Sequence, residues 1–100
     1  MPSLTSKQRA HLRSLAHELS PVAQVGHAGV TPAAIQNLRE AFNTRELLKV
    51  KVLENAPQDV RETADALAAA LDGVHVAQTI GRIAVLYRPH PDDPEITLPS

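Results

Sequence analysis

Apolar residues recur along this chain with two different periods, and the switches between them mark out its elements. Leu12, Leu15, Ala16 and Leu19 fall at i, i+3, i+4 and i+7, which predicts an amphipathic helix over 6–17 with Thr5 as its cap. Ser20-Pro21 ends it, and the apolar run 22–25 reads as a first strand. Helical spacing returns over 32–42, where Ile35, Leu38, Ala41 and Phe42 share a face. Thr31 is a good cap there, and Pro32 sits at the first position, where a missing N–H costs nothing.

Alternation takes over at 47–53. Leu48, Val50 and Val52 lie on one face, and Lys49 and Lys51 on the other with Leu47 and Leu53. A third helix is predicted over 59–72 from Val60, Ala64, Leu67, Ala68 and Leu71, with Gly73 as its stop and an acidic outer side turned from any nucleic acid. Strands at 74–80 and 82–88 join through Gly81 as a hairpin. The last strand is apolar on both faces, which predicts a central place.

The order α-β-α-β-α-β-β implies an α/β fold with a four-stranded mixed sheet, the first three strands parallel and the fourth running back. One domain is expected over 1–98, with 89–100 as a proline-rich acidic tail, partly ordered. Ile96 and Leu98 are expected against the body, and Arg88 is placed to pair with the acids of the tail.

Between the first strand and the second helix lies Gly26-His27-Ala28-Gly29. A glycine loop feeding a helix N-terminus offers free N–H groups and the positive end of a helix dipole, which suits a phosphate. The same glycines also serve a plain strand-to-helix turn, and a lone GxxG does not separate the two.

Composition adds exclusions. The absence of cysteine removes disulfides and thiolate metal sites and fits a reducing, cytoplasmic setting. No apolar run reaches the length of a membrane span. The five histidines show no metal-ligand spacing, and no nucleophile elbow, Walker motif or dinucleotide fingerprint occurs, so no cofactor and no catalysis are expected. Phe42 and Tyr87 are the only aromatics, too few for a base-stacking platform.

Net charge is −1, yet residues 1–53 carry +4 and residues 54–100 carry −5. That asymmetry suggests a face for a polyanion, unless folding mixes the halves. Arg9, Arg13 and His17, four apart, form a row on one flank of the first helix, with Lys7 and His11 towards the other side. The row, like Lys49 and Lys51, suits either phosphate contacts or an ordinary wet face.

Several blocks together resemble a known family. Ser6-Lys7-Gln8-Arg9 with Leu12 and Leu15-Ala16-His17, then Pro21-Val22, then 25–31 are similar to the start of the CRM domain (chloroplast RNA splicing and ribosome maturation). The runs 46–52 and 80–89 are similar to its later blocks, so the likeness spans residues 4–98 in register. The chain resembles the stand-alone bacterial branch, the YhbY-like proteins.

This resemblance implies a two-layer α/β fold similar to the C-terminal domain of translation initiation factor 3, with the fourth strand inside the sheet. It implies RNA binding, associated in bacteria with precursors of the large ribosomal subunit and in plants with group II intron splicing. The family's GxxG loop corresponds to Gly26, His27, Ala28 and Gly29, with an imidazole where a permanent charge is common. The expectation is that this loop and Thr31 cradle one backbone segment of ribosomal RNA or a pre-large-subunit particle. Lys7, Arg9, Arg13, Lys49, Lys51 and Arg82 would flank it, provided the first helix packs so as to bring them together. The protein is expected to be a monomer without membrane or small-molecule partners. The rival expectation is a protein-interaction module that docks on a ribosomal protein or assembly factor.

Overall fold

The computed structural model describes residues 4–99 in the order α1 (Ser6–Ala16), β1 (Ala23–Val25), α2 (Pro32–Ala41), β2 (Leu47–Val52), α3 (Val60–Ala70), β3 (His75–Ile80) and β4 (Ile83–Tyr87). Residues 1–3 of the expected domain and the last residue of its tail lie outside the described residues. Each helix starts on a side-chain cap. Thr5 Oγ1 accepts from the Gln8 amide while Gln8 Oε1 accepts from the Thr5 amide, a reciprocal capping box. Thr31 and Asp59 accept from the amides of Ala34 and Glu62. Such a cap stabilises by about 1 kcal/mol.

The sheet has the order β1-β2-β4-β3. β1 runs parallel to β2, and β4 lies antiparallel between β2 and β3, so the doubly apolar strand is central as its pattern requires. Gly81 (φ +57°) supplies the positive φ of the two-residue turn between Ile80 and Ile83.

Alternation along the strands separates two cores. On one face Val25, Leu48, Val50 and Leu86 pack against Leu38 and Phe42 of α2 and Leu67 of α3. On the opposite face Leu47, Ala77, Val85 and Tyr87 pack under Leu12 and Ala16 of α1, with Ile96 and Leu98 of the tail completing the cover. α2 and α3 form one helical layer, and α1 on the opposite face forms another, so the domain has three layers, one more than the resemblance implies. Burying a leucine such as Leu12, fully enclosed, stabilises by about 1.5–3 kcal/mol.

Two further expectations need correction. Leu15 is not part of the buried stripe: it is 41% exposed, because α1 meets the sheet through Leu12 and Ala16 and turns Leu15 to the flank beside Leu19 and Ile96. Among the described residues Arg88 makes no ion pair with the acids of the tail. Its side chain lies beside Gly73 and lines a cleft with Arg39 and Asp72, at the C-terminal end of α3. The tail is held instead by Glu46.

Candidate nucleic-acid interface

β1 delivers the chain to the glycine loop, and α2 leaves from it. Gly29 takes φ +70°, and its amide donates to the Gly26 carbonyl at 2.9 Å, closing a tight turn. That amide is therefore engaged by the loop itself. A Cβ at Gly29 would stand 2.9 Å from Pro57 Cγ, so glycine is required here by the fold. Gly26 is different, since a Cβ there would make an ordinary 3.5 Å contact with Leu53.

His27 and Ala28 form the exposed tip. Their amides, and that of Ala33 in the first turn of α2, have no protein acceptor among the described residues. Thr31 is committed to capping α2 through its Oγ1. The donors available to an anion are thus tip amides and a helix start, the arrangement that favours phosphate.

Packing of α1 decides where the cations go. Arg9 and Arg13 lie on its flank towards β3, where they border a recess with Gln78. Arg13 also faces Lys49 across a second groove, together with His17, Ile80 and Ile83. Lys49 Nζ donates to the His17 carbonyl at 3.4 Å, tying β2 to the end of α1. Lys51 is exposed one step further along the same sheet face, in register with Gln24 and Ile83. Gly26 follows Gln24 by two residues, so this basic strip runs up to the glycine loop. The structure brings Arg9, Arg13, Lys49 and Lys51 to one side of the sheet. Lys7 is exposed on α1 by the flank of His11, away from that strip.

Arg82 sits in the β3–β4 turn at the loop's end of the sheet and pairs with Glu54 at 3.3 Å, so its charge there is partly balanced. Asp59 caps α3 two residues beyond the proline that touches Gly29. The acidic start of α3 is therefore beside the loop rather than remote from it, and the cations occupy the other face. Among the described residues no cluster of His, Asp or Glu could hold a metal ion, and no helix is long and apolar enough to cross a membrane.

Comparison with known proteins places this geometry in a family. Residues 4–88 match the model of the CRS1 / YhbY (CRM) domain. The chain belongs to the CRM-domain family. It is 43% identical over 96 residues to the probable RNA-binding protein YqeI of Bacillus subtilis (strain 168), covering 96% of this chain and 99% of that one. It is 37% identical over 99 residues to an RNA-binding protein of Haemophilus influenzae, covering 99% and 98%. The solution structure of a small Staphylococcus aureus protein superposes with a TM-score of 0.80 at 40% identity, over 96% of this chain and 99% of that one.

Within this CRM domain the residue that sequence reasoning missed is Glu46. It is 3% exposed, at the start of β2. Its Oε1 accepts from the amides of Glu95 and Ile96 at 2.7 and 2.8 Å, and its Oε2 from the His90 amide at 2.6 Å. Burial pushes this carboxyl up, but the three amides and the nearby His90 outweigh it, and the group ends below the usual carboxylate range. Burial, with this carboxylate as the smaller cause, pushes the Tyr87 hydroxyl up. The only signal of Glu46 in the sequence is an acid directly before a strand that carries Lys49 and Lys51.

Proposed function

We propose that this protein binds RNA without catalysing a reaction, as an assembly factor for the large ribosomal subunit in the cytoplasm, with residues 1–98 acting as one unit. One backbone phosphate rests on the tip amides of His27 and Ala28 and the start of α2, within Gly26–Gly29. Arg9, Arg13, Lys49 and Lys51 hold the adjoining strand electrostatically, and Arg82 contributes once Glu54 is displaced.

The observation that carries this reading is the continuous strip of four cations on the α1 face, leading to a loop with unengaged amides. A net charge of −1 makes that concentration a property of the fold rather than of composition. Relatives named for RNA binding support the partner class. Shape and phosphate contacts dominate such binding, so sequence specificity from the loop is modest.

The test is binding to large-subunit ribosomal RNA fragments over a salt series. Affinity is expected to fall steeply with salt, with a logarithmic slope of about −3 to −4 if four phosphates are neutralised. Undiminished binding to purified ribosomal proteins, with no RNA binding at low salt, would establish the protein-docking alternative instead.

A further inference from the structure

We propose that the groove between the C-terminal end of α1 and the β3–β4 hairpin seats one unpaired nucleobase, a second contact distinct from the glycine loop. This rests on the RNA-binding reading above.

The groove exists because α1 is too short to cover its face of the sheet. The helix ends at Ala16, and Ser20-Pro21 carries the chain off towards β1. Ile80 is left 47% exposed, more than either other large exposed hydrophobic, and Ile83, its register partner, is only partly covered. Together they floor an opening of about 300 Å³, rimmed by Arg13, His17 and Lys49 with no acid in its lining. That volume is at the lower end of small-ligand sites, about 300–1,000 Å³.

An apolar floor inside a cationic rim matches a nucleotide in both its parts. The base lies flat on Ile80 and Ile83, while the phosphates on either side meet Arg13 and Lys49. An apolar peptide would use the floor but leave Arg13 and Lys49 facing it without a counter-charge. Position adds to the fit: Lys51 is in register with Ile83 and, on the other side, with Gln24, two residues before Gly26. A strand gripped at the loop thus reaches the groove by crossing one row of the sheet. The domain lacks an aromatic platform, and this pair of isoleucines takes its place with a single seat.

The discriminating experiment compares Ile80→Ser with wild type, titrating a labelled oligouridine strand and an abasic ribose-phosphate strand of equal length. Ile80 is exposed at a hairpin end, so the fold tolerates the change. Ile80→Ser is expected to weaken oligouridine binding about fivefold, the effect of losing roughly 40 Å² of apolar contact, and to leave abasic binding and the salt slope unchanged. Ile80→Phe, which supplies a stacking face, is expected to tighten oligouridine binding by a similar factor of about five. Equal oligouridine affinity for wild type and both variants would overturn the base seat while leaving RNA binding intact. Equal losses on both strands would overturn it too, since the contact would then be to the backbone. If wild type binds neither strand at low salt, the functional reading fails and the seat with it.

Discussion

Pro57 stands so close to Gly29 that a Cβ added there would lie 2.9 Å from the proline Cγ. The two residues come from different loops, and their contact fixes the glycine turn against the start of the second crossover. With φ at +70°, any side chain at Gly29 also meets backbone strain. Gly29→Ala is therefore expected to destabilise the fold by about 1–3 kcal/mol, and Gly26→Ala by less than about 1 kcal/mol. Chemical denaturation of the two variants measures the difference. Equal stabilities would mean that the turn relaxes freely.

Glu46 joins β2 to the tail through three backbone amides. Glu46→Ala leaves those donors to water or to nothing, and frees the segment that places Ile96 and Leu98 over the α1 core. The expected loss is about 2–4 kcal/mol, and proteolysis should then cut within 89–99. Glu46→Gln retains acceptance through one oxygen and should cost less. Resistance of the alanine variant to proteolysis would show that Ile96 and Leu98 hold the tail unaided.

Acid should weaken this fold in two stages. Burial pushes the His75 imidazole below its ordinary range, so its neutral form is the one that folding favours. Its contribution is present above about pH 6.5 and is lost as pH falls through the lower folded value. The Glu46 carboxyl is likewise lower in the folded state, so its contribution is present above its usual 4.5 and disappears as pH drops below that. Thermal midpoints measured from pH 7 to pH 3 should fall in both windows, and Glu46→Gln should lack the more acidic one. A flat profile below pH 4.5 in the wild type would contradict the buried-carboxylate role.

The elements were readable because each interior residue obeys one period and each helix opens on a capping side chain. Central placement of β4 was equally legible, since only a strand covered on both faces tolerates Ile83 to Tyr87 without a polar position. The fate of Leu15 was not: its spacing fits the helix stripe, and only the limited contact of α1 with the sheet decides its exposure. Glu46 was hidden for a similar reason. Its partners are main-chain amides about 44–50 residues away, and such amides leave no mark on side-chain chemistry. The four cations were candidates by type, but their convergence depends on the docking of α1, which no spacing rule encodes.

That convergence separates Lys7 from the others. Substituting alanine at Arg13 or Lys49 is expected to weaken RNA binding and to reduce the magnitude of the salt slope by about 1 each. Lys7→Ala should leave both nearly unchanged. A salt-slope series over the three variants is the check, and an equal effect at Lys7 would mean that RNA wraps α1 rather than crossing the open sheet.

The most direct measurement is the affinity of Ala28→Asp for a large-subunit ribosomal RNA fragment, at two salt concentrations beside wild type. Ala28 is exposed at the loop tip, away from the Gly29–Pro57 contact, so the fold should persist, and circular dichroism can verify it. A carboxylate at the tip would repel a phosphate resting on the loop amides, and affinity should drop at least about tenfold at low salt. Unchanged affinity in a folded Ala28→Asp protein would contradict phosphate capture by the glycine loop.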